Sequence, residues 1–118
     1  MINLWFRVAA VLMFAGVVLG AFGAHGLKTR LSPESLAIYH TAVLYHFLHA
    51  LGLFVVAWAA AHSPASGRVR LAGFAFIFGI LVFSGSLYLL SITGLRWLGA
   101  ITPIGGLLFL IGWALLAL

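Results

Sequence analysis

The chain has 118 residues, of which 65% are hydrophobic and 6% charged, with a formal net charge of +5 and no cysteine. That composition excludes a water-soluble domain, whose surface would be a continuous apolar patch, and the lack of cysteine excludes disulfides and thiolate metal sites. The six basic residues sit at segment ends and form no basic face, which excludes nucleic acid as a partner.

Arg7, the run from Lys28 to Glu34, Arg68 with Arg70, and Arg96 separate four stretches that contain no Lys, Arg, Asp or Glu: residues 8–27, 35–67, 71–95 and 97–118. A bilayer crossing takes about 20 apolar residues at about 1.5 Å of rise each. The pattern therefore predicts an all-α integral membrane bundle of four transmembrane helices with up-and-down connectivity. The helices are expected over about residues 4–25, 34–61, 69–92 and 96–117, making residues 1–118 one transmembrane domain whose first partner is the lipid bilayer.

In the first helix Gly16, Gly20 and Ala24 recur every four residues, a strip of small side chains that lets another backbone approach, so this helix is expected in the interior. Ser32-Pro33-Glu34 announces the second helix, with Ser as N-cap, Pro at the first helical position and Glu favoured by the positive end of the dipole. On that helix Tyr39, His46 and His49 share one face with Ala42 and Ala50, while His40 points elsewhere. Residues 62–67 read as the second turn and 91–96 as the third, short enough to make the last two helices an antiparallel hairpin. Trp97 beside Arg96 reads as an interface anchor. In the fourth helix Pro103 removes a backbone donor and clashes with the preceding turn, so a kink is expected there. Gly85, Gly105 and Gly106 are further expected packing positions.

Up-and-down connectivity fixes which residues share a depth. Measured from the turns at 26–33 and 91–96, almost every polar group within the spans falls in one half of the membrane. The candidates for binding a ligand or responding to protons are His25, Tyr45, His49, Ser84, Ser86, Tyr88 and Thr102. An ionisable side chain within a span is a functional hypothesis by default, because a charged imidazole in hydrocarbon costs several kcal/mol. The alternative is a neutral His hydrogen-bonded to the next helix, worth about 1 kcal/mol of packing specificity. His46 and His49 lie close enough in sequence to share an ion, but no carboxylate accompanies them, so neither a metal nor a cofactor is expected. No catalytic residue is expected either, since Ser84 and Ser86 follow no strained turn and no span holds an acidic residue for proton-coupled export.

Gly20-Ala21-Phe22-Gly23-Ala24-His25-Gly26-Leu27-Lys28, then Tyr45 and His49-Ala50-Leu51, then Phe83-Ser84-Gly85-Ser86-Leu87-Tyr88, and finally Ile101-Thr102-Pro103-Ile104-Gly105-Gly106 with Gly112-Trp113 run in this order along the chain. Together they resemble the domain of unknown function 423 family, which includes bacterial inner-membrane proteins related to transmembrane protein 256. The resemblance implies a multi-pass protein of bacterial inner membranes or of mitochondria and no particular reaction. It matches His25 and His49 directly and leaves His40, His46 and His62 outside the pattern.

The expected function is a non-enzymatic accessory, assembly or structural component, as a homo-oligomer or a subunit of a larger membrane complex. Two alternatives stay open: a channel or carrier lined by the polar half, and a metal or haem protein. Basic residues tie at three on each side of the membrane, Arg7, Arg68 and Arg70 against Lys28, Arg30 and Arg96. The N-terminal amine tips the expectation to both termini cytoplasmic.

Overall fold

The computed structural model describes residues 3–118, and three of its four helices begin where a polar side chain satisfies otherwise unpaired amides. Asn3 precedes α1, Leu4–Leu27. Its Oδ1 accepts from the Phe6 amide at 3.0 Å and its Nδ2 donates to the Ala57 carbonyl at 2.9 Å, so one residue caps α1 and ties it to α2. Ser32 caps α2, Pro33–His62, accepting from the Ser35 amide at 3.1 Å, with Pro33 and Glu34 in the first turn as the sequence predicts. Ser66 caps α3, Gly67–Thr93. Gly94 ends α3 at φ 73°, a left-handed conformation that glycine adopts without a Cβ clash, and its amide reaches the Leu90 carbonyl at 2.8 Å.

The fourth helix, α4, Arg96–Ala117, opens with a 3₁₀ turn, Arg96–Ala100, and becomes α-helical from Thr102. Its kink falls at Ile101, on the N-terminal side of Pro103, as expected from a ring that displaces the turn before it. The Thr102 hydroxyl donates to the Leu98 carbonyl at 3.3 Å and so partners a carbonyl of the distorted turn.

All four helices are long and apolar enough to cross a membrane. Each packs on its neighbour in sequence, α1 on α2, α2 on α3 and α3 on α4, giving a flattened bundle of 47 × 28 × 16 Å. In the most apolar 18-residue stretch of each helix, 44% of residues are buried in α2 and in α3, against 17% in α4 and 11% in α1. The expectation that α1 lies inside is therefore overturned: α2 and α3 form the centre, and α1 is a flanking helix that exposes Val11, Phe14, Val17, Val18 and Phe22.

The small-residue strip on α1 also runs differently from its expected course. Gly16 and Gly23 are buried, whereas Ala24 is exposed. At about 100° per residue, position 24 has drifted about 80° round from position 16, while position 23 returns to within about 20°. A Cβ on Gly16 would stand 2.8 Å from the Phe47 ring, and one on Gly23 would overlap the Tyr39 ring. Gly20 is half-buried against Val43. From Gly23 to Leu27 the helix widens into a π-helical turn, and a second π turn occupies Ile80–Ser84 of α3.

That second π turn lies at the closest crossing of α3 and α4. A Cβ on Gly105 would overlap the backbone of Phe83, and one on Gly79 would stand 2.5 Å from the Phe109 ring. Gly106 has the Phe83 ring at ordinary contact distance, and Gly85 has open space. The apolar core, with Ala9, Leu53, Val56, Ala72 and Phe76, fills the half of the bundle nearer the termini. The polar side chains begin where that core ends.

Candidate functional site

His46 lies in the middle of α2 and is buried between α1 and α3. Its Nε2 is 2.7 Å from the Leu12 carbonyl and its Nδ1 is 2.9 Å from the Tyr88 hydroxyl. A carbonyl can only accept, so Nε2 carries a hydrogen; the Tyr88 hydroxyl has no other acceptor among the described residues and donates to Nδ1, which leaves the ring neutral. One imidazole thus joins three helices. Tyr39, one helical face along, donates its hydroxyl to the Leu19 carbonyl of α1 and packs against Tyr88 with ring centroids 5.2 Å apart.

His49, three residues on, turns the other way, toward α4. The indole N–H of Trp113 donates to its Nε2 at 2.9 Å, and its Nδ1 lies 2.9 Å from the Tyr45 carbonyl one turn back. An indole nitrogen can only donate, so Nε2 is bare and Nδ1 carries the hydrogen. His46 and His49 are therefore neutral imidazoles of opposite tautomer. The His49 ring stacks on Phe109 with centroids 3.5 Å apart and planes 7° from parallel, and Phe76 and Trp113 close two further sides.

The hydroxyls complete the ties. Ser84, at the end of the π turn in α3, donates to the Ala42 carbonyl of α2 at 2.8 Å. Ser86 of α3 donates to Thr102 of α4 at 2.5 Å, since the single Thr102 hydrogen is given to the Leu98 carbonyl. Every buried side-chain nitrogen or oxygen among the described residues has a hydrogen-bond partner. Tyr45 differs from the other two tyrosines: it is exposed at the rim of a groove between α2 and α4, and its hydroxyl has no partner among the described residues. The groove has a volume of about 650 Å³ and is lined by Tyr45, His49, Phe83, Gly106, Phe109 and Trp113, among others.

The structure thus brings together Tyr45, His49 and Phe83 at the groove, Tyr88 and Ser84 at the α2–α3 contact, and Ser86 with Thr102 at the α3–α4 contact. It does not bring His25 to any of them. His25 is exposed in the π turn that ends α1, whereas His49 lies about 24 Å along α2 from the same end of the bundle. Nor do His46 and His49 converge, since their ring nitrogens are held by different helices. Among the described residues no three His, Cys, Asp or Glu side chains come together as a metal site.

Sequence reasoning did not anticipate Trp113 as the partner of His49, nor His46 as a three-helix junction. Trp113 carries a donor that needs an acceptor when it is packed, which was the available signal. Its place four residues from the end of α4 reads more simply as an interface anchor.

The model of the family described as "protein of unknown function (DUF423)" matches residues 19–106. The chain belongs to this family. A relative from Bacillus subtilis, UPF0382 membrane protein YwdK, is 49% identical over 109 residues, which cover 92% of this chain and 89% of that protein. A UPF0382 membrane protein of Staphylococcus epidermidis is 50% identical over 84% of this chain and 80% of its own length. Another, from Haemophilus influenzae, is 39% identical over 98% of this chain and 91% of its own length. No solved structure matches the chain. Membership in this family, together with four membrane-spanning helices, makes the chain a multi-pass membrane protein. The family-matched interval contains the His46 and His49 positions and the Ser86–Thr102 contact; Trp113 lies beyond it.

Proposed function

We propose that the protein is a non-catalytic component of the bacterial inner membrane that works by lateral association, as a homo-oligomer or as a subunit of a larger membrane complex. The observation that carries this reading is the use made of the interior polar groups. His46, His49, Ser84, Ser86, Tyr88 and Thr102 each bond to another helix. They are the ties of a scaffold, and a group held in this way is not free to take up substrate or pass a proton. The carrier alternative needs His49 to face an aqueous path, which its stacking on Phe109 and its bond to Trp113 do not favour.

What remains for function is the outside of the bundle. A slab 16 Å thick with two flanking helices offers long lipid-facing surfaces to other membrane segments. Both termini are assigned to the cytoplasm on the N-terminal amine added to Arg7, Arg68 and Arg70.

Native mass spectrometry of the full chain, released gently from its own membrane, tests the proposal. The expected result is a stoichiometric assembly, either of identical chains or with a second protein. A monomer carrying only exchangeable lipid would overturn it.

A further inference from the structure

Arg7 stands apart from the other basic residues at its end of the bundle by its depth, which contacts with both neighbouring helices set. On the α2 side, Asn3 bonds to the Ala57 carbonyl, and the Phe6 ring packs on Phe54 with centroids 4.9 Å apart. These two helices run antiparallel, so Arg7 is level with about residue 53 of α2, about 13 Å before its end at His62. On the α3 side, Trp5 packs on Phe74 with centroids 5.2 Å apart and fills the space that a Cβ on Gly73 would take. α1 and α3 run parallel, which makes Arg7 level with about residue 76, again about 13 Å in from the start at Gly67.

With a hydrocarbon layer of about 30 Å centred on α2 or on α3, the Arg7 Cα lies about 6–9 Å inside its edge. Arg68 and Arg70, in the first turn of α3, lie at or beyond that edge. An arginine inside the edge carries its guanidinium outward along the helix surface, and it still needs an anion. The chain has none to offer. Glu34 is the only acidic residue, and it sits in the first turn of α2, about 29 Å along that helix from the level of Arg7. A second copy inserted the same way up brings its own Glu34 to the same far face, so the anion has to come from another kind of molecule.

The surface beside Arg7 specifies that molecule. Arg7 borders a groove of about 320 Å³ between α1 and α3, whose other walls are Leu4, Val8, Val11, Leu12 and Ile77. All five are aliphatic, and Val11 and Leu12 lie about 6–8 Å deeper than Arg7. A guanidinium above an apolar channel is the complement of a phospholipid: phosphate oxygens take its fork of N–H donors, and an acyl chain follows the groove inward. Free phosphate would match the charge but not the aliphatic walls, and it would have to leave water to reach this depth. A zwitterionic headgroup brings an ammonium for which no carboxylate stands nearby, so charge favours an anionic one. We infer that Arg7 and this groove form a binding site for one anionic phospholipid. The site is complete within one chain and does not depend on the scaffold proposal.

The test releases the full chain from nanodiscs of equal phosphatidylglycerol and phosphatidylcholine and reads the last lipid retained by mass spectrometry. The expected result is one phosphatidylglycerol per chain, favoured over phosphatidylcholine about fivefold, the scale of one basic residue at an anionic membrane surface. Arg7→Gln should lose that preference. The double variant Arg68→Gln with Arg70→Gln, which leaves the arginine of the groove in place, should keep it. Val11→Trp, at a position 66% exposed and so free to carry a larger side chain, should expel the lipid by filling the groove while Arg7 stays. Inorganic phosphate should not compete. Equal retention of the two lipids, an Arg7→Gln variant that binds as before, equal loss in the double variant, or displacement by inorganic phosphate would overturn the inference. So would cross-linking from position 7 to a second protein in the native membrane, since a carboxylate of that protein would then supply the anion.

Discussion

His49 and Trp113 show how a single pair fixes the identity of both side chains. The indole donates to a ring nitrogen that is bare only because the other nitrogen is held by a carbonyl one turn back. Trp113→Phe leaves that nitrogen without a donor, and His49→Phe leaves the indole without an acceptor. Each is expected to lower stability by about 1–3 kcal/mol, measured by unfolding in mixed micelles. The pair's coupling in a double-mutant cycle should be smaller, about 0.6–1.7 kcal/mol, because a partly unfolded chain in a membrane also finds partners. A coupling near zero would mean that the two groups do not interact. At this scale the sequence was only partly legible. It shows that His46 and His49 lie on the buried face of α2, since helical spacing alone decides that. Which way each ring turns depends on carbonyls and donors brought by α1, α3 and α4, which no local spacing encodes.

At the scale of elements, four helices were legible because a bilayer tolerates so few alternatives: charges must sit near its edges and every backbone amide must find a partner within the span. The Ser32-Pro33-Glu34 start of α2 and the kink before Pro103 follow from local chemistry and are found where it puts them. The two π turns and the outer position of α1 were not legible, because both result from how helices press on one another. The glycines divide in the same way. Gly105→Val should prevent α3 and α4 from closing, since its side chain would enter the Phe83 backbone, and the variant is expected to be lost from the membrane fraction. Gly85→Ala meets open space in a helix and should be neutral or more stable by up to about 1 kcal/mol. Equal behaviour of the two variants in abundance and thermal unfolding would show that the α3–α4 crossing is drawn wrongly.

The whole molecule is a thin, up-and-down slab whose centre is tied by side chains and whose flanks face lipid. An even number of crossings puts both ends of the chain on one side. Reporter fusions at the N-terminus and at Leu118 should therefore give the same compartment, the cytoplasm on the proposed orientation, and opposite compartments would remove one of the four spans. The interior ties bear most directly on the proposed scaffold role, because an imidazole bonded to two partners has no ring nitrogen left for a ligand. The measurement that tests this claim is ¹⁵N NMR of the histidine rings in lipid bilayers at neutral pH. The account predicts two neutral imidazoles of opposite tautomer, Nε2–H at His46 and Nδ1–H at His49, with the Trp113 indole nitrogen coupled to the latter. An imidazolium, a metal-shifted nitrogen or a ring averaging between tautomers at either position would contradict it.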